Sequence, residues 1–423
     1  MEYIFHCEVK EKALANIAII GAGVIGVSCA AFLQRDGHNV TIYDPLPPGE
    51  GCSFGNAGSI GPGSVVPLST PGIVRQAASW ITDPDSPLWI DWRYLPRAVP
   101  WLARFITAGA SPRINGIAKA LRLLHADSFE NYRTLLGVDA KSLLHISGQL
   151  YLYESDAAFT KDALGRELRE ALGIRSEILS ADEVRQLEPS LGPRFAKAMY
   201  LPDSGHCSNP HRLVTTIAED ITRNGGRFVR ASVKDFELEA GQVRAVVTDA
   251  GSMPCDTVVI AAGAWSHRLA GRLGLKIPLE SLRGYHVMLP MPEKAPKRPL
   301  YPLAAKIMMT PMEHGLRIAG TAEIAGLDAP MNERRAAALG KIAKRYFPGM
   351  TGEPISVWMG HRPATPDSLP VIGASPRHKN VMLAFGHGQT GLIGGSTTGL
   401  LVSDLVAGRK PTIDPHPYRA NRF

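Results

Sequence analysis

The order of apolar, glycine-rich and polar stretches near the start of the chain predicts a strand, a tight turn, a helix and a second strand. Residues 17–20 (IAII) are apolar and mostly β-branched, and residues 24–33 continue without a charge. A second strand-like run at 39–43 ends in Asp44. This order is typical of a Rossmann-like unit that binds a dinucleotide. In such a unit, Asp44 is placed to bind the ribose hydroxyls of the dinucleotide, and its carboxylate disfavours a 2′-phosphate.

The predicted turn has the spacing Gly21-x-Gly23-x-x-Gly26. The first glycine makes the tight turn, the second lets the backbone approach a pyrophosphate, and the third lets helix and strand pack closely. Val24 and Ile25 then begin a helix whose free N–H groups and positive dipole end favour an anion. A membrane helix over the same apolar stretch is rejected, because it would be short for a span and weakened by three glycines.

The rest of the chain alternates between strand-like and helix-like patterns. Residues 45–72 are rich in Gly, Pro and Ser, and we expect an ordered loop around a ligand there. Helices are predicted over most of 73–137 and over 157–172, 212–224, 333–347 and 391–407, with a further helix starting at the capping box Ser180–Glu183. Strands are predicted at 145–153, 227–238, 242–249, 257–261, 284–290, 306–311, 315–321, 355–359 and 380–384.

These elements predict an α/β fold with two domains. A discontinuous Rossmann-like domain would hold the cofactor, and a second domain with an antiparallel sheet would hold the substrate. The predicted boundaries are 15–72, 205–275 and 360–423 for the first domain. They are 73–204 and 276–359 for the second, which carries helical insertions.

Composition narrows the class of protein. The chain has 423 residues, is 45% hydrophobic and 20% charged, and has a net charge of +7 without a block of basic residues. Such a distribution argues against nucleic-acid binding and is compatible with contact to an anionic membrane face. The five scattered cysteines and the absence of a secretory signal favour the cytoplasm, and residues 1–16 are interpreted as a mobile leader. No metal-ligand spacing is present, so no metal is predicted.

Four motifs together resemble the FAD-dependent oxidoreductases of the D-amino-acid oxidase and glycine oxidase type. Among these, the chain looks most like the bacterial D-amino-acid dehydrogenases (small-subunit type). The motifs are the glycine turn with Asp44, SFGNAG at 53–58, AAGAW at 261–265, and the C-terminal pair at 358–373 and 385–399. The resemblance covers nearly the whole chain after the leader and implies FAD as cofactor.

The cofactor site implied by the motifs combines small residues with polar donors. Hydroxyl, amide and backbone donors of 53–58 would meet the flavin, small residues at 262–263 would let the backbone approach, and the last helix would face the flavin pyrimidine. Besides the glycine turn and Asp44, the predicted cofactor-binding residues are Ser53, Asn56, Ala57, Gly58, Val233, Ala262, Gly263, Trp265, Gly360, Arg362, Gly388, Gln389, Thr390 and Gly391.

Substrate recognition requires a cation for a carboxylate, and arginine binds both oxygens with its fork. Arg362 matches a family position on the substrate side of the flavin and is the first choice, with a structural arginine in a turn as the alternative. Arg283 is the second choice. The oxidase branch has another arginine where this chain reads 309–312 (MTPM), and Arg317, a few residues on, is expected to face solvent.

Aromatic residues and histidines are candidates for the wall of the substrate pocket. They are Tyr285, His286, Tyr301, His361 and His387. The last of these, between two glycines, is the first choice for contact with the flavin ring. The alternative for each histidine is a structural role.

The resemblance implies oxidation of a D-amino acid, or of a cyclic one such as D-proline or D-hydroxyproline, by hydride transfer from the α-carbon to flavin N5. The resulting imine would hydrolyse to a 2-oxo acid and ammonia. Some relatives tether the flavin through a cysteine in the C-terminal third, and others through a histidine soon after the first motif. This chain has no cysteine after Cys255 and no histidine between His38 and His125, so the resemblance implies non-covalent FAD. A quinone or another carrier is the expected electron acceptor. The alternatives are a glycine or sarcosine oxidase that makes peroxide, and a non-catalytic FAD subunit of a hetero-oligomer; the oligomeric state is left open.

Overall fold

The structure is a computed structural model that describes residues 14–73, 87–350 and 352–423. Residues 1–13 of the predicted leader and part of the helical region predicted at 73–137 lie outside these ranges. No helix within the described residues is long and apolar enough to cross a lipid bilayer.

The described strands belong to four sheets. In chain order they are β1 (Asn16–Ile20), β2 (Asn39–Asp44), β3 (Ser59–Ile60), β4 (Leu88–Ile90), β5 (Leu144–His145), β6 (Gln149–Tyr153), β7 (Glu177–Ser180), β8 (Lys197–Leu201), β9 (Gly205–Cys207), β10 (Arg227–Arg230), β11 (Val233–Glu239), β12 (Gln242–Thr248), β13 (Gly251–Pro254), β14 (Thr257–Ile260), β15 (Glu280–Leu289), β16 (Leu300–Pro302), β17 (Met308–Met312), β18 (Gly315–Ile324), β19 (Ser356–Ala364), β20 (Val371–Ala374) and β21 (Val381–Phe385).

The described helices surround these sheets. They are α1 (Val24–Arg35), α2 (Leu95–Ala108), α3 (Ser111–His125), α4 (Ser128–Leu136), α5 (Ala140–Leu143), α6 (Asp156–Lys161), α7 (Ala163–Ala171), α8 (Ala181–Leu187), α9 (Pro210–Arg223), α10 (Ser266–Arg272), α11 (Glu333–Tyr346) and α12 (Gly391–Val406). Short 3-10 turns occupy Gly137–Asp139, Gly263–Trp265, Gly388–Thr390, His416–Tyr418 and Ala420–Arg422.

A mostly parallel sheet carries the dinucleotide motif. Its strand order is β10-β2-β1-β14-β21-β20, and only the β20–β21 pair is antiparallel. The strands come from distant parts of the chain, so segments near the start, the middle and the end meet in one sheet. Because parallel strands place their carboxyl ends at one edge, the loops after β1, β2, β14 and β21 converge there.

A larger sheet, mainly antiparallel, lies beyond that edge. Its order is β19-β15-β18-β17-β16-β6-β8-β7, with β4 added beside β18. The long strands β15 and β19 pair so that Gly284 lies opposite Gly360 and Leu282 opposite Arg362. The mixed α/β fold predicted from the sequence is therefore confirmed.

Helices α3 and α4 pack with the parallel sheet's core rather than with the larger sheet. Their apolar side chains, including Leu124 and Tyr132, join the buried cluster that contains Ile19, Val27 and Leu401. The domain boundaries proposed from sequence assign both helices to the substrate domain. Those boundaries stay a prediction, and this packing favours moving the two helices to the cofactor domain.

Several predicted elements are wrong in extent. The strand predicted at 227–238 is two strands in different sheets, because the chain leaves the parallel sheet at 231–232. The strand predicted at 145–153 is interrupted at Gly148, which has φ of +76°. The helix predicted at 157–172 is two helices that meet at Asp162, and the strand predicted at 355–359 continues to Ala364. The capping box at Ser180 and Glu183 is confirmed.

Candidate active site

The glycine turn brings the first strand, the first helix and β14 into close contact. Gly21 has φ of +114°, and a Cβ there would lie 2.4 Å from the carbonyl oxygen of Ala261. A Cβ on Gly26 would lie 1.8 Å from the carbonyl oxygen of Gly21. Both positions therefore require glycine, the first for its backbone conformation and the second for helix–strand packing.

Asp44 and Ser53 complete this turn with side-chain hydrogen bonds. One carboxylate oxygen of Asp44 accepts from the N–H of Ala22 at 2.7 Å and the other from that of Leu46 at 2.9 Å. Burial raises the pKa of this carboxyl, and the two backbone donors oppose the shift. Ser53 Oγ accepts from the N–H of Val24 at 2.9 Å, so the loop after β2 covers the start of α1.

One cavity of about 2020 Å³ runs from this turn to the larger sheet. Its volume exceeds the usual range for a single small ligand, so it has room for a dinucleotide and a substrate together. Of the predicted residues, those that line it are Gly21, Gly23, Val24, Ile25, Asp44, Ser53, Asn56, Ala57, Val233, Ala262, Gly263, Trp265, Tyr285, Tyr301, Gly360, Arg362, His387, Gly388, Gln389, Thr390 and Gly391. Gly26, Gly58 and Arg283 do not.

Two glycine turns border open space in this cavity. Gly263 and Gly388 have φ of +53° and +55°, and a Cβ on either would meet no atom within 4 Å. The turn that contains Gly388 leads directly into helix α12, whose first residues also line the cavity. Small residues and a helix N-terminus at the wall allow close approach of a ligand that carries negative charge.

Gly58 has a structural rather than a lining position. Its φ is +72°, and a Cβ there would lie 2.7 Å from the carbonyl oxygen of Cys207. It therefore closes the SFGNAG loop against β9 and does not itself border the cavity, which corrects its predicted place.

The buried side chains of Arg317 and His286 hold the SFGNAG loop in place. This role was not predicted from the sequence. The guanidinium of Arg317 donates to the carbonyl oxygens of Phe54 at 3.1 Å and Asn56 at 2.7 Å. His286 Nδ1 pairs with the carbonyl oxygen of Gly55 at 3.0 Å. The expectation that Arg317 faces solvent is wrong, because only 8% of it is exposed. The alternation of strand β18 did not reveal this contact, since both faces of that strand are buried.

Trp358 fixes the same loop from strand β19. A Cβ on Gly55 would lie 2.0 Å from its indole, and a Cβ on Gly360 would lie equally close on another edge. The ring also stacks on His286 at a centroid distance of 5.3 Å. Glycine at 360 therefore makes room for this tryptophan, while its own backbone borders the cavity.

Arg362 lies in strand β19, not in a turn. Its guanidinium donates to the carbonyl oxygens of Thr321 at 2.6 Å and Gly320 at 3.3 Å. A Cβ on Gly284 would lie 2.2–2.5 Å from this guanidinium, so the arginine extends across a glycine of the neighbouring strand. Burial lowers the pKa of Arg362 to about 10, which keeps it charged at neutral pH. Among the described residues, no carboxylate forms an ion pair with it.

Arg283 belongs to a separate buried cluster. It is 0% exposed, its Nε lies 3.5 Å from Glu323, and it donates to the carbonyl oxygen of Pro330. Tyr285 borders the cavity, but its hydroxyl donates to Glu323 and accepts from the N–H of Asn332. The second choice for the substrate carboxylate is therefore wrong in position, because Arg283 does not border the cavity.

The far wall of the cavity is aromatic and basic. Tyr301 and Tyr151 lie on adjacent parallel strands, with ring centroids 5.1 Å apart. Burial raises the pKa of Tyr301, while Arg169 and Arg362 oppose the shift, so the positive charge of both arginines reaches this ring. Lys306, held at φ of +54°, lines the same wall. Tyr151, Arg169 and Lys306 were not predicted, because only the packing of segments distant in sequence brings them here.

The histidines of the site are neutral. His387 lines the cavity, its Nε2 pairs with the hydroxyl of Thr398 at 2.8 Å, and burial lowers its pKa to about 3. His361 does not line the cavity; it pairs with Ser281 at 2.8 Å and its ring meets that of Trp265 at 5.3 Å. His286 supports the loop instead of facing the cavity. Within the described residues, no group of three or more potential metal ligands comes together.

Comparison with known proteins agrees with this geometry. Residues 16–405 match the family described as "DAO: FAD dependent oxidoreductase". The chain belongs to this family. It is 39% identical to the D-amino-acid oxidase of Bradyrhizobium diazoefficiens, over 96% of this chain and 99% of that one. It is 32% identical to the D-amino acid dehydrogenase of Chromohalobacter salexigens, with the same coverage.

Solved structures show the same fold as this DAO-family chain. Glycine oxidase from Geobacillus kaustophilus has a TM-score of 0.75 at 24% identity, covering 97% of this chain and 99% of its own. L-proline dehydrogenase from P. horikoshii also has a TM-score of 0.75, at 19% identity, covering 97% and 98%. The predicted family and cofactor are thus confirmed: this is an FAD-dependent oxidoreductase that acts on amino acids.

The residues present fit FAD. The glycine turn, the start of α1 and Asp44 form the nucleotide end of the cavity. Gly263, Gly388 and the start of α12 form the other end of the cavity. Backbone groups there would contact the flavin, because neither glycine places a side chain between the backbone and the open space. The wall formed by Arg362, Tyr301 and Tyr151 faces this second end from the larger sheet.

Proposed function

We propose that this protein is a D-amino-acid dehydrogenase in which Arg362 binds the substrate carboxylate. The observation that carries the proposal is a charged guanidinium at the cavity wall, bound to two backbone carbonyls and without a carboxylate partner in the described part of the chain. A desolvated cation of this kind binds an anion well, because it loses little further solvation on binding. The curated relatives named above for D-amino acids support the choice of substrate class.

When bound, FAD supplies the hydride-accepting chemistry. The chain's own residues would orient the substrate and exclude water. Arg362 would fix the carboxylate, Tyr301 and Tyr151 would flank the side chain, and the buried cavity wall would hold the α-carbon near the cofactor. No side chain is assigned as a base, because an amine that binds in its neutral form needs none. The product would be an imine, which hydrolyses to a 2-oxo acid and ammonia or, if cyclic, persists.

FAD is proposed to be non-covalent. Cys52 is the one cysteine that lines the described cavity, and sequence reasoning did not consider it. Its thiol donates to the carbonyl oxygen of His361 at 2.8 Å, and burial raises its pKa to about 11. Because the thiolate is the reactive form, this thiol is a poor nucleophile toward the flavin at neutral pH. Acid precipitation of the holoenzyme should therefore release all of the yellow colour into the supernatant.

The electron acceptor is proposed to be a quinone or another carrier rather than dioxygen. The relatives named D-amino acid dehydrogenase, at 30–32% identity, support this choice. A peroxide-forming oxidase is the second candidate, and the relative named D-amino-acid oxidase, at 39% identity, favours it. The rate at which the substrate-reduced enzyme is reoxidised by air, compared with a soluble quinone analogue, distinguishes the two.

The first experiment is anaerobic mixing of the yellow holoenzyme with single amino acids. The panel contains D- and L-isomers of several amino acids, D-proline, cis-4-hydroxy-D-proline, glycine and sarcosine. Bleaching of the oxidised flavin absorption by D-isomers but not by their L-isomers is the expected result. Bleaching by glycine and sarcosine alone would replace the proposal with an amine oxidase. Bleaching by none of them would overturn amino-acid oxidation.

A further inference from the structure

The far wall of the cavity carries an excess of positive charge. Lys161, Arg169 and Lys306 line it together. Among the described residues that line the cavity, two are acidic, Asp44 and Asp162, and Asp44 is bound to the glycine turn at the nucleotide end. Three cations at the far wall therefore face one carboxylate. Keeping charge without a partner beside a cavity is unfavourable, and a bound anion would offset this.

Arg169 is held in the same way as Arg362. It is 4% exposed, and its guanidinium donates to the carbonyl oxygens of Gly63 at 3.2 Å and Gly165 at 2.9 Å. It also lies over the ring of Tyr151, 4.7 Å from the ring centroid. No described carboxylate forms an ion pair with it. A guanidinium that is already desolvated and fixed in position loses little on binding an anion, so Arg169 is suited to a second negative charge.

Lys306 lies beside Arg169 in an uncommon backbone conformation. Its φ of +54° is rare for a residue other than glycine, and its backbone N–H donates to the carbonyl oxygen of Pro302 at 3.0 Å. Within the described part of the chain, its ammonium group makes no hydrogen bond and no ion pair. Burial lowers the pKa of Lys306; Asp162 opposes this shift, and the charge of Arg169 adds to it. The two cations therefore repel each other, and an anion between them would relieve the repulsion.

Asp162 offsets only part of this charge. One of its carboxylate oxygens accepts from the hydroxyl of Tyr153 at 2.8 Å. The other lies near Arg169, since a Cβ on Gly165 would be 2.7 Å from that oxygen and 3.1 Å from Nη1 of the arginine. Among the described residues, no ion pair joins Asp162 to Arg169 or to Lys306. The wall thus keeps a net positive charge with this acid ionised.

The same wall lies close to the proposed site of the substrate carboxylate. Arg169 and Arg362 both oppose the rise in the pKa of Tyr301 that burial causes, so one tyrosine lies near both guanidinium groups. Lys161 is exposed and also lines the cavity, so the wall reaches solvent and a polar substrate can enter along it. A substrate whose α-carboxylate binds Arg362 would therefore have Arg169 and Lys306 within reach of a short side chain.

We propose that Arg169 and Lys306 bind a second negative charge of the substrate, which makes D-amino acids with a carboxylate side chain the preferred class. This inference rests on the proposed function, in which Arg362 binds the α-carboxylate. The fork of Arg169 would contact both oxygens of the side-chain carboxylate, and the ammonium of Lys306 would add a further contact. A side-chain amide of nearly the same shape would leave both cations without a counter-charge, so charge rather than size would set the preference.

The first test measures binding without oxidation. Isothermal titration calorimetry of the full-length holoenzyme compares glutarate with its monoamide, glutaramate. We expect glutarate to bind at least about tenfold more tightly, because the amide lacks the second set of charge-assisted hydrogen bonds. Arg362→Gln should weaken the binding of both compounds, since both carry the carboxylate assigned to that residue. Equal dissociation constants of the wild type for glutarate and glutaramate would overturn the second anion site.

The second test measures anaerobic flavin reduction with matched substrates: D-glutamate against D-glutamine, and D-aspartate against D-asparagine. We expect at least about tenfold lower half-saturating concentrations for the acids, with similar limiting rates, because the contacts are made before the reaction. Equal values for acids and amides would overturn the inference and leave D-amino-acid oxidation intact. Bleaching by no amino acid, with glutarate still preferred over glutaramate, would overturn the proposed function and with it the substrate class, while the anion site would stand.

Substitutions of Lys306 connect both tests to this wall. Lys306→Asn removes the charge and places a residue that tolerates positive φ, so the variant should fold. The half-saturating concentration of D-glutamate should rise about tenfold or more, and that of D-glutamine should not change. Lys306→Arg should restore most of the preference. Lys294→Asn removes an exposed lysine outside the cavity and should behave as the wild type.

Arg169→Gln should act in the same direction as Lys306→Asn. Because Arg169 also holds two backbone carbonyls, a thermal melt of the variant separates a loss of stability from a loss of preference. A wild-type preference for D-glutamate over D-glutamine in both variants would overturn the assignment of these two residues.

Discussion

Arg362 and Arg283 are arginines on neighbouring strands with opposite environments, and this contrast gives a prediction for each. For Arg362, substitution by Gln would remove the proposed charge-assisted bond to the substrate carboxylate, worth about 1.5–3 kcal/mol. We expect kcat/KM for a D-amino acid to fall roughly 10- to 150-fold, mainly through KM, with little change in thermal stability. Steady-state kinetics and a thermal melt of the holoenzyme measure both. An unchanged KM would remove Arg362 from substrate binding.

For Arg283, the expected loss is in stability. It is fully buried beside Glu323, so Arg283→Met leaves a buried carboxylate without its cation, at a cost of about 3–5 kcal/mol. Urea unfolding should show this loss. Adding Glu323→Gln should recover part of the lost free energy of unfolding, because it removes the buried carboxylate that has no cation. A raised KM at unchanged stability would contradict the structural role and restore Arg283 as a carboxylate ligand.

At the scale of elements, the pairing of β15 with β19 sets the position of Arg362, the proposed ligand of the substrate carboxylate. Gly284→Ala would add a Cβ within 2.5 Å of the Arg362 guanidinium, which can move because it is the end of a flexible side chain. We therefore expect the variant to fold but to show a raised KM, as Arg362→Gln does. Gly340→Ala in helix α11 is the matched control, since its Cβ meets no atom within 4 Å. There we expect an unchanged KM and a stability gain of up to about 1 kcal/mol. Equal KM values for the two variants would contradict the proposed geometry.

Element types were well predicted where local patterns decide them. The strand–turn–helix at the start, the capping box at Ser180 and the helix at 391–406 each follow from residues close together in sequence. Element boundaries failed where distant pairing decides them. The chain crosses from the parallel sheet to a different sheet at 231–232 without a glycine or proline, so the apolar pattern there gave no signal of a break.

At the scale of the whole molecule, the difference between local patterns and distant pairing also explains which features of the candidate site were predicted from the sequence. Most of the residues predicted to bind the cofactor line the cavity, because glycine turns and small residues are required where backbone approaches a ligand. The contacts that join distant segments around the cavity were missed. Arg317 and His286 support a loop more than 200 positions away in sequence, and Tyr151 meets Tyr301 through a parallel strand pair. One sequence alone does not reveal such contacts.

The pH dependence of folding is also a property of the whole molecule. His125, His206, His286 and His387 are buried, and burial lowers their pKa values from 6.5 to about 3–4. Between about pH 4 and 6.5, the unfolded chain therefore binds more protons at these sites than the folded chain. The contribution of these histidines to the free energy of unfolding must then fall as the pH falls through this window, by up to about 1.4 kcal/mol per pH unit for each histidine. Above pH 6.5, these histidines add no further pH dependence.

Urea unfolding of the holoenzyme with excess FAD, at several pH values from 7.5 to 5, measures this slope. Buried carboxyl groups with raised pKa values, such as that of Glu188, act in the opposite direction as the pH falls. The informative quantity is therefore the change in slope between variants. His206→Asn should reduce the slope, because one proton-binding difference is removed, while His416→Asn at an exposed position should leave it unchanged. Equal slopes for wild type and His206→Asn would contradict this prediction. They would mean that His206 takes up its proton over the same pH range in the folded protein as in the unfolded chain.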